Sequence, residues 1–171
     1  MITNQELDKG VLTLKLIWSA MLLSLAIYLF VGLQVVDNVR SSMDEGTFGV
    51  VKTAFYIIAL AVLVVTRYIR KMVLTGKWQT RPPADAGEVP APSRHPALQT
   101  YTTATILALA MSESIGVCGL FLFFLGKNPM DLYLLLLISA TAMFMYRPSR
   151  EELITLSRKW EGEPTIMRSV K

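Results

Sequence analysis

The sequence predicts an all-α polytopic membrane protein, in which an antiparallel bundle of four transmembrane helices is followed by a short amphipathic helix. The chain has 171 residues, of which 53% are hydrophobic, and its mean hydropathy is +0.45. Soluble domains of this size are less apolar. The apolar residues are gathered into four runs, at about 11–36, 49–66, 100–125 and 130–146. Each is close to the ~20 residues that cross a bilayer, so we expect one membrane domain of four helices.

The first two spans are joined by a short polar loop. Span one begins after ten mostly polar residues, and Lys15 near its start can extend towards the lipid headgroups. The loop at 37–48 has an acidic excess, and the core of span two carries no charge. Span two is expected to end where a basic cluster follows it, formed by Arg67, Arg70 and Lys71.

A proline-rich linker at 77–98 separates the two halves of the chain. Its five prolines cannot donate backbone hydrogen bonds, so we expect no regular helix or strand there. They are Pro82, Pro83, Pro90, Pro92 and Pro96. We interpret it as a solvated cytoplasmic connector. A docking strip for a cytoplasmic protein is the alternative.

Span three carries the residue on which the functional prediction rests. Glu113 lies near the middle of the run, so we expect it close to the bilayer midplane. An ionised carboxylate there costs at least ~2.5–3.5 kcal/mol, so the group should be protonated, paired or ion-bound. Ser112 and Ser114 complete the predicted ion-binding set. The alternative is ordinary helix packing, with Glu113 satisfied by a neighbouring hydroxyl.

Small residues form a stripe along the same helix. They recur every four positions, at Thr100, Ala104, Ala108, Ser112 and Gly116. Such a stripe lets another helix approach closely, and it is typical of packing seams in membrane bundles.

Span four is short and rich in leucine, and it is expected to end at Arg147, because proline disfavours helix in the residue before it. Ser149 and Glu152 then have the spacing of a capping box. An amphipathic helix is predicted at 149–160, with an apolar face of Leu153, Ile154, Leu156 and Trp160. We expect it at the membrane surface, with packing against a soluble partner as the alternative.

Basic residues predict the topology. Lysine and arginine are concentrated in the linker and the C-terminal tail, whereas the other two loops hold only Arg40 and Lys127, with Lys52 near their edge. Since cytoplasmic loops carry an excess of these residues, both termini and the linker are expected in the cytoplasm. We expect the plasma (inner) membrane of a bacterium.

The sequence lacks the residues that several kinds of active site and metal site require. The chain has one histidine, His95, and one cysteine, Cys118. A hydrolytic triad, a bis-histidine haem and a cysteine-based metal site are therefore not expected. No nucleotide-binding or hydrolase motif occurs. We expect no enzyme activity, no cofactor, no metal site and no nucleic-acid partner.

Residues 108–125, ALAMSESIGVCGLFLFFL, resemble the ion-binding helix of the proteolipid (c) subunits of rotary ATP synthases. In that family a mid-membrane Glu or Asp follows an alanine-rich stretch, on the second helix of a hairpin. Spans two and three are similar to that hairpin, and the resemblance implies that Glu113 is the ion carboxylate and that the protein forms a closed ring. Ser114 resembles the serine of sodium-binding members, but span two lacks their glutamine, so we expect a proton.

Two hypotheses remain open. In the first, the protein is an oligomeric, proteolipid-like membrane protein whose Glu113 takes up and releases protons. In the second, it is a structural or assembly subunit without transport activity, and its linker or C-terminal helix docks a cytoplasmic partner. A four-helix channel is a weaker reading, because no other span has a run of polar residues at depth. Membrane lipids and further copies of the chain are the expected partners.

Overall fold

The computed structural model describes residues 4–35, 44–75 and 96–162. These residues form five helices: α1 (Asn4–Val35), α2 (Glu45–Leu74), α3 (Pro96–Gly126), α4 (Pro129–Met145) and α5 (Arg150–Gly162). Over the described residues the chain is helical without strands, so the all-α prediction is confirmed there. Most of the predicted linker at 77–98 lies outside the described residues, and its last three residues belong to α3.

Three helices are long and apolar enough to cross a membrane. The candidate spans are Leu7–Val35, Gly46–Leu74 and Ala97–Gly126. A fourth is reached if α4 and the segment Arg150–Ser157, which are bent by 48° at a short break, are counted as one span. The described part of the chain therefore holds three or four candidate spans, and α4, with 17 residues, is the short one.

Helix α3 is the centre of the bundle. In its most apolar stretch 44% of the residues are buried, compared with 11% in α1 and 6% in α2. It packs against all four other helices, and α4 packs against α1 as well. Over their described residues, α1 and α2 do not pack along each other. Helices α1 and α2 therefore meet α3 on different sides.

Two apolar clusters lie on these two sides of α3. One joins α1, α3 and α4 through residues that include Leu25, Leu109 and Leu136. The other joins α2, α3 and α4, and its buried members are Ala59, Ile115, Leu122 and Leu135. Because the second cluster draws on α2 through Ala59 and a set of half-buried side chains, α2 is attached less deeply than α4.

Glycines on α3 allow α4 and α1 to approach closely. A Cβ on Gly119 would lie 2.8 Å from Leu135 Cβ on α4, and one on Gly116 would lie 2.6 Å from Leu25 Cδ2 on α1. The turn into α4 is tight: Lys127 has a φ of 54°, and the Asn128 side chain accepts a hydrogen bond from the Met130 amide at 3.1 Å. This turn makes α3 and α4 an antiparallel pair.

Helix α5 folds back onto the starts of α1 and α3. Its buried Leu153 and Leu156 belong to a cluster completed by Leu7, Val11, Leu14, Leu98 and Tyr101. The apolar face was expected to meet the membrane surface or a soluble partner. For Leu153 and Leu156 this expectation needs correcting, because α1 and α3 of the same chain cover them.

Candidate functional site

Glu113 is hydrogen-bonded to two hydroxyl groups on α1. Ser24 Oγ lies 2.5 Å, and Tyr28 Oη 3.0 Å, from the same carboxyl oxygen, Oε1. Ser24 Oγ also lies 2.7 Å from the carbonyl oxygen of Met21. Ser24 and Tyr28 are one helical turn apart, so both side chains lie on the face of α1 that meets α3. Four oxygens from two helices thus form one connected cluster.

The carboxyl lies at mid-height and at the edge of an exposed surface. Along the axis of α3, Glu113 lies about 18 Å from Tyr101 at one end of the bundle and about 20 Å from Gly126 at the other end. The exposed face of α3 begins beside it and repeats with heptad spacing, at Thr103, Leu107, Ala110, Ser114, Val117 and Phe121. The half-buried Glu113 therefore borders the face of α3 that lies between α1 and α2.

The two serines of the predicted ion-binding set do not contact the Glu113 carboxyl. Ser112 is buried and donates to the Ala108 carbonyl at 2.8 Å, while Ser139 of α4 donates to the Ser112 carbonyl at 2.6 Å. Ser114 is exposed and donates to the Met111 carbonyl at 2.7 Å. Ser112 thus belongs to the α3–α4 contact, and Ser114 to the exposed face.

The predicted packing stripe lies mostly inside the bundle. Ala104, Ala108, Ser112 and Gly116 are buried, and Thr100 is half-buried. A Cβ on Gly116 would lie 3.3 Å from Leu136 Cδ2 on α4 as well as close to Leu25 on α1. In this structure, the part of the stripe around Gly116 therefore packs against α1 and α4 of its own chain.

Sequence reasoning missed Ser24 and Tyr28. A signal was present, because two hydroxyl residues one turn apart lie in the apolar middle of span one. The proteolipid-like hairpin directed the search for a partner to span two, whereas the structure places α1 against this side of α3.

A second polar cluster joins α2 to the start of α4. Asp131 Oδ1 forms an ion pair with Lys52 Nζ and accepts a hydrogen bond from Tyr56 Oη, both at 2.8 Å. The Asp131 side chain is only 4% exposed, and its Oδ2 atom is buried without a hydrogen-bond partner among the described residues. From the sequence alone, Asp131 is an acidic residue near the start of span four. Lys52 and Tyr56, one turn apart on α2, are the signal that could have revealed the cluster.

A third polar cluster lies at the opposite end, where α5 begins. Arg70 Nη2 donates to both oxygens of Glu152, at 3.0 and 2.8 Å, and Tyr101 Oη donates to Glu152 Oε2 at 3.1 Å. The Ser149 amide donates to Tyr101 Oη at 3.0 Å. Glu152, which the capping-box pattern assigned to a local helix cap, therefore links α5 to α2 and α3.

Within the described residues no group of three metal-ligating side chains is found, and His95 lies outside them. The chain matches no protein-family model, no curated protein and no solved structure.

Proposed function

We propose that this protein is an oligomeric integral membrane protein of four transmembrane spans, in which Glu113 binds and releases a proton within the bilayer. Three features support the proposal: the candidate spans of the described chain, the mid-height position of Glu113, and the hydroxyl cluster around it. The cluster carries the most weight, because it gives Glu113 hydrogen-bonding partners in both its protonated and its ionised state.

Three oxygen–oxygen contacts connect the cluster, and each needs one hydrogen. They join Tyr28 Oη to Glu113 Oε1, Glu113 Oε1 to Ser24 Oγ, and Ser24 Oγ to the Met21 carbonyl oxygen. The two hydroxyls supply two hydrogens, and a carbonyl supplies none. A protonated Glu113 supplies the third: Tyr28 donates to Glu113, Glu113 to Ser24, and Ser24 to Met21. An ionised Glu113 leaves one contact without a hydrogen.

The surroundings of the carboxyl support the same assignment. An ionised carboxylate in hydrocarbon is costly, and Glu113 borders the exposed face of α3. In the ionised state Ser24 and Tyr28 both donate to the carboxylate, while the Met21 carbonyl keeps its place in the helix. Rotation of one serine hydroxyl thus adapts the cluster to either state, which suits a group that gains and loses a proton.

The arrangement of the remaining helices supports the membrane topology. The Arg150–Asp8 and Arg70–Glu152 ion pairs place the start of α1, the end of α2 and the start of α5 at one end of the bundle. The basic residues Arg67, Lys71 and Arg147 lie near the same end of the bundle. We assign this end to the cytoplasm by the positive-inside rule, in the inner membrane of a bacterium.

Self-association is the part of the proposal that rests on the exposed surface. The heptad-spaced face of α3 contains the small residues Ala110 and Ser114 at its middle. Heptad spacing and small side chains are the features by which membrane helices pair. We propose that copies of the chain associate along this face, next to Glu113, in a closed ring.

A structural or assembly subunit without transport activity is the second candidate. One observation favours it: both hydroxyls that satisfy Glu113 belong to the same chain, so the cluster also ties α1 to α3. In that role Glu113 serves as an interhelical hydrogen-bonding group, and the protein positions a partner at its cytoplasmic end.

Labelling with dicyclohexylcarbodiimide tests proton binding, because this apolar reagent modifies protonated carboxyls from the lipid phase. We expect intact-mass and peptide analysis of membranes to find the adduct on Glu113 in the wild type and no adduct at this position in Glu113→Gln. Labelling that slows as the pH is raised supports reversible proton binding. Labelling that sodium chloride suppresses, but choline chloride does not, would assign the site to sodium instead.

Proton flux into liposomes that contain a pH-sensitive dye separates the two candidate functions. Glu113→Gln keeps an acceptor oxygen for Ser24 and Tyr28, so we expect the folded oligomer to be retained and any flux to be lost. Equal flux in both proteins would refute transport through Glu113. Native mass spectrometry from mild detergent and from nanodiscs gives the subunit number, and a stable monomer in both would refute the ring.

A further inference from the structure

Helix α2 is held to α4 and α5 by two charged contacts, one at each end. Lys52–Asp131 joins it to α4, and Arg70–Glu152 joins it to α5. We call these contacts the α4 latch and the α5 latch. Residues 52 and 70 are separated by about 27 Å along the helix, which is close to the ~30 Å thickness of the hydrocarbon core. The latches therefore lie at the two borders of the apolar segment.

Between the latches, α2 rests on α3 with little burial. In this stretch only Ala59 and Thr66 are buried. The exposed side chains include Ile57, Leu60 and Val64, which are 63–65% exposed. Helix α2 does not pack along α1 over the described residues. Half-buried side chains of α2, such as Phe55 and Leu63, pack against α3 along this stretch. Its attachment thus consists of a long but shallow contact with α3 and of the two latches.

Both latches contain a buried polar atom without a partner among the described residues. In the α4 latch it is Asp131 Oδ2, and in the α5 latch it is Arg70 Nε. The one other such atom in the described chain is Thr105 Oγ1 on α3. Buried polar atoms without a hydrogen bond are costly. The closed position of α2 is therefore incompletely satisfied at both of its ends, which lowers the cost of opening.

We propose that α2 is a movable helix, which separates from the bundle when the two latches open. The side of α3 that it covers carries Ile115 and Leu122, and separation would open a gap along this side that water can enter from the membrane borders. This conformational change is independent of Glu113, whose partners lie on α1.

Cys118 is a native probe for this motion. It lies three residues after Ile115 and four before Leu122, so it is on the side of α3 that faces α2. It is a free cysteine of intermediate exposure. We would measure its rate of modification by N-ethylmaleimide in native membranes, for the wild type, Asp131→Asn, Glu152→Gln and the double variant. Each single change should raise the rate, and the double variant should exceed the wild type by about tenfold.

A matched control is available in the Arg150–Asp8 ion pair, which links α5 to α1 and leaves α2 untouched. Asp8→Asn should label at the wild-type rate. An equal acceleration in Asp8→Asn would mean general loosening and would refute the proposal. Wild-type rates in the double variant would also refute it.

Tyr56→Phe keeps the test decisive if the double variant does not fold. This change removes the hydrogen bond from Tyr56 to Asp131 Oδ1 and preserves the ion pair with Lys52. We expect a smaller acceleration of Cys118 labelling, with unchanged carbodiimide labelling of Glu113. Wild-type rates in folded Tyr56→Phe and folded Glu152→Gln together would overturn the proposal, whatever the behaviour of Glu113.

Discussion

Gly119 is the position at which the packing of α3 against α4 can be tested most directly. A Cβ added there would lie 2.8 Å from the Cβ of Leu135, whereas carbon atoms in contact are normally ~3.5–4.0 Å apart. The Leu135 Cβ is attached to the α4 backbone and cannot rotate away. Gly119→Ala therefore requires the two helices to move apart by about 1 Å.

Gly49 provides the matched control, because it is also a helical glycine but a Cβ there meets nothing within 4 Å. Both substitutions gain ~0.8–1.0 kcal/mol of helix propensity. Only Gly119→Ala adds the cost of overpacking, which is ~1–3 kcal/mol. The difference in free energy of unfolding between the two variants therefore isolates the overpacking cost, and Gly119→Ala should be the less stable by ~1–3 kcal/mol.

The assay is unfolding in mixed micelles by titration with sodium dodecyl sulfate, followed by circular dichroism. Gly49→Ala should be at least as stable as the wild type. If Gly119→Ala were as stable as Gly49→Ala, the close approach of α3 and α4 at this position would be wrong.

The remaining predictions concern the polar clusters and α5. Tyr28→Phe removes one hydrogen bond to Glu113 and should cost ~0.6–1.7 kcal/mol in the same unfolding assay; no loss would show that the bond is not formed. Asp131→Asn disturbs a buried pair and should destabilise the protein by more than Asp8→Asn, whose exposed pair is worth at most ~1 kcal/mol; the reverse order would contradict the burial of Asp131. Leu153→Ala empties a fully buried position and should cost ~2–5 kcal/mol, and limited proteolysis should then cut between α4 and α5 faster than in the wild type.

The hydrophobic pattern was sufficient to predict the helices and the height of Glu113. Apolar runs of this length have one structural solution in lipid, and a residue at the middle of a run lies at the middle of its helix. Hydropathy does not determine which helices are neighbours. That choice depends on local shape, such as the close approach that Gly116 allows to Leu25 of α1, and it decides that Glu113 meets Ser24 and Tyr28.

The same limit explains the misassignment of Glu152. Capping boxes are recognised from residues three apart, so the pattern assigned this carboxylate to its own helix. Its partner Arg70 is 82 residues away in the sequence, and the pair forms only after α5 has folded back onto α1 and α3. The burial of Asp131 could not be predicted for a similar reason, because its partners Lys52 and Tyr56 belong to a distant span.

The separation of α1 from α2 has a consequence for biosynthesis. A ribosome delivers the chain from the N-terminus, so α1 and α2 enter the bilayer before the helix that both of them pack against exists. They must remain there as two independent spans, each with its side chains solvated by lipid, until α3 emerges. Insertion and assembly of the bundle are therefore separate in time, and the decisive step is the arrival of the third and fourth helices as an antiparallel pair. Any factor that protects membrane proteins during synthesis would meet this chain with its first two helices still unassembled.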